Sequence, residues 1–200
     1  PDVSATELAS FMDKVPAGKQ LVVNMTSASG GSLVALQRPN RAVVMATKSG
    51  TEKNATVFPR YFAEALRDPG ADTDKNDVIS ALEAFKYAEQ KTAKFYTTEN
   101  RIATEHPVLE DTGNGQAVKD PSPANGQGLL AARFPLLRVG AAQAVAKDPA
   151  KQALLAKKED LEQRIDRLKY QKAAMPADQY KRQLSALLLE LAEVQEALDK

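Results

Sequence analysis

Two hundred residues, 43% apolar and 26% charged, are enough for one ordinary domain with its own core, or for a smaller domain plus an appendage. Basic and acidic side chains, 27 against 26, leave a net charge of +1, which offers no electrostatic footprint for nucleic acid or an anionic membrane surface. With no cysteine and one histidine, His106, the chain excludes disulfides, thiolate metal sites, a thiol nucleophile and a His-rich metal site.

The first residues, Pro1-Asp2-Val3-Ser4, carry no initiator Met, basic segment or apolar run. The expectation is a chain that starts in the middle of a gene product, with any signal peptide upstream. Ser4 and Glu7 form a capping box that starts a short helix with Leu8, Phe11 and Met12 on one side. Residues 20–25, Gln-Leu-Val-Val-Asn-Met, read as a buried strand. A small-residue turn over 26–32 leads into a helical stretch at 33–37, and 41–47 read as a second buried strand. Strand, crossover and strand in so few residues imply a parallel α/β sheet.

Helical spacing recurs over 56–66 and again over 80–100, with an acidic loop at 68–77 between them. Residues 102–128 are rich in Gly, Pro and Asp and read as irregular, with an edge strand expected near 129–139. The apolar stretch 129–146 is broken by Arg133, Pro135 and Arg138, so no membrane span is expected. Asp148-Pro149 is a helix start. Leu154, Leu161, Leu168 and Met175 then recur every seven residues, and after Pro176 so do Tyr180, Leu184, Leu187, Leu191, Val194 and Leu198 in alternating steps of four and three. The pattern predicts an antiparallel α-helical hairpin over 147–200. It would either close on itself or, with Leu155, Leu188 and Leu189 widening its apolar face, dock a partner or a second copy. Lys158 and Lys172 at seam positions limit indiscriminate association.

The segment from Leu21 to Gly30 resembles the nucleophile strand of the caspase and legumain superfamily, which ends in Cys-x-Ser-Gly. Here the same places read Ser27-Ala28-Ser29-Gly30. Residues 46–52 resemble the family's next strand and specificity loop. The helix 58–66, the loop 71–80 and the helix start Glu83-Ala-Phe-Lys-Tyr87 resemble its bacterial branch, over roughly 1–115 in all. The resemblance implies the C-terminal part of a caspase-like α/β domain over 1–140, with Ser27 in the place of the catalytic Cys. The family's His-Gly motif on an earlier strand has no counterpart here. His106, in Thr104-Glu105-His106-Pro107, does not map onto it and reads as a hydrogen-bonded loop residue.

A degenerate, non-peptidase member is therefore expected, because a hydroxyl needs an aligned base where a thiol is partly ionised unaided. The alternative is a serine hydrolase in which Ser27 attacks, the Gly30 and Gly31 amides hold the oxyanion, and a missing N-terminal half supplies the histidine. Without a catalytic role, Ser27 reads as a turn residue capping the helix that follows. The bacterial resemblance also implies export to the periplasm or beyond.

Asp72, Asp74, Asn76, Ser80 and Glu83 fall at positions 1, 3, 5, 9 and 12 of a calcium-loop template, with Val78 supplying a carbonyl at position 7. Asp77 replaces the usual Gly at position 6 and must take a left-handed backbone. The competing reading is a Ser80–Glu83 capping box behind a solvated turn. Calcium is the one cofactor these residues suggest, and a calcium-binding structural module is a third functional reading. The turn Asp111-Thr-Gly-Asn-Gly115 has Ser122 at the twelfth position and reads as structural. The functional expectation is a non-catalytic scaffold whose exposed sheet edge or hairpin meets the missing N-terminal half, another protein chain or a second copy.

Overall fold

The computed structural model of the chain describes residues 2–122 and 126–199. They divide into two compact units, Pro1–Asp74 with Ile79–Leu137 and Lys75–Val78 with Arg138–Lys200. The class is mixed α/β, with a small mixed sheet and flanking helices.

In the first unit, helix α1 (Ala5–Asp13) begins at a complete capping box between Ser4 and Glu7. Strands β1 (Gln20–Asn24) and β2 (Arg41–Met45) run parallel, with Gln20 opposite Arg41 and Asn24 opposite Met45. The crossover between them holds a 3₁₀ turn at Ser29–Ser32 and helix α2 (Leu33–Leu36). All of β2 is buried, as expected of a strand covered on both faces.

Helices α3 (Phe58–Ala65) and α4 (Ala81–Thr98) follow, the latter after the short strand β3 (Val78–Ser80). Strand β4 (Val108–Glu110) then joins β2 antiparallel, giving the order β1-β2-β4. The sheet is therefore mixed where a parallel one is expected. Three residues in a polar stretch gave no periodic signal for β4. The strand expected near 129–139 begins instead as helix α5 (Leu129–Ala132). Its strand, β5 (Pro135–Arg138), pairs with β3 and stays out of the three-stranded sheet.

The pleat of β2 sorts the core. Ala42 and Val44 pack with Phe58, Phe62, Phe85 and Ala88 on one face. Val43 and Met45 pack with Ala9, Leu36 and Val108 on the other. The Phe58 ring lies 5.7 Å from Phe62 and 6.1 Å from Phe85, in tilted contacts usual for aromatic cores.

Gln20 N–H donates to Asn40 O and Ala46 N–H to Asn24 O, so these β1 groups face β2. Strand alternation turns the amides and carbonyls of Leu21 and Val23 outward. No strand of the described residues pairs with that edge.

The second unit contains helices α6 (Gly140–Lys147), α7 (Pro149–Tyr170) and α8 (Ala177–Asp199). Asp148 caps α7 through the Ala150 amide, with Pro149 in its first turn. Leu161, Ile165 and Leu168 of α7 share a buried cluster with Leu187, Val194 and Leu198 of α8. Lys151 Nζ reaches the Leu198 carbonyl at 2.6 Å, Lys158 Nζ reaches Gln195 Oε1 at 2.8 Å, and Lys157 Nζ lies 2.9 Å from Glu190. Among the described residues, no helix is long and apolar enough to cross a membrane.

Arg41, almost fully buried, is held by two bonds to Gln20 Oε1, one to the Leu36 carbonyl and one to Asp13. Hydrogen bonds from Arg38 first and Arg41 second hold the Asp13 carboxyl below its ordinary 3.8. A depressed folded-state pKa stabilises the fold above 3.8, and the contribution is lost as pH falls through the lowered value. Asp13→Asn should therefore remove part of the stability difference between neutral and strongly acid solution. Chemical denaturation of both proteins at a series of pH values measures it.

Candidate functional site

The carboxyl ends of two parallel strands are where an open α/β sheet gathers chemistry; there the turn that carries Ser27 packs on the loop of Thr47 and Glu52, and His106 bonds to Glu52. After β1, Asn24 Oδ1 accepts the Thr26 amide and hydroxyl, turning the chain away from the sheet. Ser27 is exposed, and its side chain makes no hydrogen bond among the described residues. It does not cap the helix that follows. Ala28 sits at φ 58, a left-handed conformation costly for a residue with a Cβ, and its amide donates to the Glu52 carbonyl at 2.7 Å.

The next three residues lock this turn onto the loop after β2. Ser29 Oγ lies 3.1 Å from Thr47 Oγ1 and accepts the Thr47 amide at 3.0 Å. The Gly30 amide donates to Thr47 Oγ1 at 3.0 Å, and the Gly31 amide donates to the Ala28 carbonyl at 3.0 Å. The two amides read as oxyanion donors are thus already engaged inside the turn. Gly30 also lies against the neighbouring backbone, where a Cβ would come within 2.2 Å of Ser49 N and 2.3 Å of the Lys48 carbonyl carbon. Gly31 stacks similarly on Gly50, 3.1 Å from its Cα for an added Cβ.

The Glu52 carboxylate ties a third segment to these two. Its Oε2 accepts the Lys48 amide at 3.0 Å and the His106 amide at 3.2 Å, while Oε1 lies 2.5 Å from His106 Nδ1. Next to His106, the buried Glu105 carboxylate accepts the Val57 and Phe58 amides at the start of α3, and the Tyr96 hydroxyl at 3.0 Å. His106 is a hydrogen-bonded loop residue, but its partner, Glu52, lies 54 positions away. The sequence reading missed Glu52, Thr47 and Glu105. Glu52 stands four residues after Lys48, an ion-pair spacing that the two occupy at 3.9 Å, but its bond to His106, like the bonds of Thr47 and Glu105, acts across the fold. An acyl transfer would need a base within about 2.6–3.2 Å of Ser27 Oγ, and no such bond is formed among the described residues.

In the acidic loop the carboxylates of Asp72, Asp74 and Glu83 come together, with ligand atoms within 4.8 Å of one another. Oxygens about 2.4 Å from a calcium ion can be this far apart, so the three residues fit a hard cation. Glu83 is nevertheless well occupied: Oε1 accepts the Thr73 amide and hydroxyl, and Oε2 accepts the Ser80 amide and hydroxyl in a complete capping box. Ser80 therefore serves the start of α4. Asn76 Oδ1 accepts the Val78 amide, a local turn. Asp77 adopts φ 61, the left-handed backbone that position 6 of the template requires, and Lys75 adopts φ 59.

The second acidic turn is structural. Asp111 accepts the Gly128 and Ala131 amides at 2.8 and 3.0 Å, and burial pushes its carboxyl above the ordinary value.

Comparison with family models, curated proteins and solved structures gave no match.

Gly30→Ala should cost about 2–3 kcal/mol through forced backbone displacement. Gly18→Ala, where nothing lies within 4 Å of an added Cβ, should be near neutral. Urea unfolding of the two variants, read as midpoints at constant slope, tests this steric contrast.

Proposed function

We propose that the chain is a non-catalytic, caspase-like scaffold that binds a protein partner, its first part built like the C-terminal half of a caspase-like domain and its last part an antiparallel helical hairpin. The observation that carries this reading is that the carboxyl edge of the sheet is committed to holding itself together. The Gly30 and Gly31 amides are engaged. His106 Nδ1 is turned to Glu52, and no base is bonded to Ser27 among the described residues.

Two surfaces fit partner binding. One is the outer edge of β1, where Leu21 and Val23 offer backbone groups beside half-buried apolar side chains, and where no charge or proline within the strand guards the edge. The other is the exposed side of α8, with Leu188 and Leu189. A strand from an N-terminal half or from another chain suits the first.

A second reading, a hydrolase using Ser27, draws support from one contact. The Ala28–Glu52 bond brings the Ser27 turn beside the Glu52–His106 pair, so the histidine could come from this chain. One experiment separates the two: incubation with a fluorophosphonate followed by intact-mass measurement. The scaffold reading expects no adduct. An adduct lost in both Ser27→Ala and His106→Gln would establish the hydrolase in its place.

Calcium would stabilise such a scaffold by tying the acidic loop to the start of α4 through Asp72, Asp74 and Glu83. Millimolar calcium should then raise the melting temperature by a few degrees. Glu83→Gln, which retains the capping geometry but not the charge, should abolish that shift. Equal shifts in both proteins would remove calcium from the reading.

A further inference from the structure

The near-balance of charge over the whole chain conceals an uneven distribution. Residues 164–183 span the end of α7, its link to α8 and the start of α8. They hold six basic side chains, Arg164, Arg167, Lys169, Lys172, Lys181 and Arg182, against the acidic Asp166 and Asp178, an excess of four where the chain has an excess of one. All six basic residues are exposed. Among them a groove of about 410 Å³ runs between α7 and α8. Arg164 and Arg167 line one wall, with Gln171 just past the helix end, while Gln183 and Glu190 line the other. Leu168 and Leu187, both buried, form the floor, and the short side chain of Ala186 adds little bulk above it.

The acids beside this groove leave its arginines largely uncompensated. Glu190 is given to Lys157 at 2.9 Å. Asp160 lies 3.7 Å from Arg164, beyond hydrogen-bond reach, and both side chains are exposed, so the pair is worth little in water. Arg167 makes no ion pair or side-chain hydrogen bond among the described residues. Two guanidiniums three residues apart on one helix repel each other, and an anion held between them removes that repulsion. The planar fork of each matches a carboxylate, and the carboxamides of Gln171 and Gln183 are further donors at the end of the groove nearer the link. We propose that this groove binds the carboxylate side chains of an acidic protein segment, with Arg164 and Arg167 as the paired forks. The proposal rests on the scaffold reading and gives the partner a chemistry: a stretch rich in Asp and Glu, whose aliphatic stems lie on Leu168 and Leu187. A nucleic-acid strand fits less well, since Glu190 would face its phosphates and no aromatic ring lines the groove to stack a base.

Fluorescence anisotropy of a labelled oligoglutamate peptide, titrated with the full chain, tests the site. The expected result is saturable binding that weakens as salt is raised. Arg164→Gln combined with Arg167→Gln should weaken it about tenfold, while melting temperature and helical signal stay unchanged because both side chains are exposed. Lys53→Gln combined with Lys94→Gln removes the same charge from exposed positions of the first unit and should leave binding as it was. Arg167→Lys keeps the charge without the fork and should recover only part of the affinity lost in Arg167→Gln. An oligothymidylate of equal charge should bind more weakly than the peptide.

Absence of saturable binding overturns the inference and leaves binding at the β1 edge standing. Equal losses in the groove variant and the lysine variant also overturn it, by reducing the effect to bulk charge. Tighter binding of the oligothymidylate would do the same, by making this end of the hairpin a nucleic-acid surface. A fluorophosphonate adduct at Ser27 would sink the scaffold reading without altering any of these titrations.

Discussion

The close approach of the Gly30 backbone to the Lys48–Ser49 peptide is the contact on which the rest of the first unit depends. Two parallel strands side by side end in two loops that leave the sheet at the same height. Those loops must either diverge or pack. Here they pack, because position 30 has no side chain and position 31 meets another glycine at 50. Once they are in contact, the Ser29 and Thr47 hydroxyls can bond to each other and to the adjoining amides in a buried setting, where such bonds resist exchange with water. The Ala28 amide then reaches Glu52, and Glu52 in turn gathers His106. Ala28 is held in a left-handed conformation by bonds on both sides of its peptide, which offset the strain.

This hierarchy explains what was legible in the sequence. Features that depend on neighbours within one turn of chain were visible: both Ser-x-x-Glu capping boxes, the uninterrupted apolar run of β2, and the left-handed backbone demanded of Asp77. Features that depend on the fold were not. Arg41 stands at the start of the central strand, and nothing local indicates that a guanidinium will be buried there. It is tolerated because Gln20, Asp13 and the Leu36 carbonyl satisfy its donors. Strand β4 is three residues long and is recruited by the open side of β2. Its antiparallel direction follows from the return of the chain after α4, which no periodicity encodes. The Glu52–His106 pair joins residues whose spacing has no meaning until α3 and α4 have been laid down between them.

In the acidic loop one glutamate falls at a position common to two patterns, and the capping box is the one it forms. A calcium-loop template ends in a glutamate one turn into a helix, and a capping box also places a glutamate at the third helical position. Glu83 satisfies both patterns at once. The carboxylate accepts four protein donors, from Thr73 and Ser80. A cation entering beside Asp72 and Asp74 would therefore compete with Thr73 for Oε1, while Oε2 could keep the cap. The helix start and the ion would then stabilise each other, since both favour an ionised, fixed Glu83.

The hydroxyl at position 27 takes its meaning from these surroundings. A serine nucleophile depends on a bonded base and on free amides aimed at the oxyanion. In this turn the amides that follow it close the turn itself. Freeing the Gly30 amide for an oxyanion would break its bond to Thr47 and loosen the contact that sets the position of Ser27 in the first place. Rigidity of the turn and reactivity of the site are therefore opposed in this chain, and the packing at Gly30 favours rigidity. Among the described residues, groups without a strand or helix against them include the outer edge of β1 and the exposed side of α8 at Leu188 and Leu189. Those surfaces are suited to recognition by extended strands and helices, which requires no reacting atom.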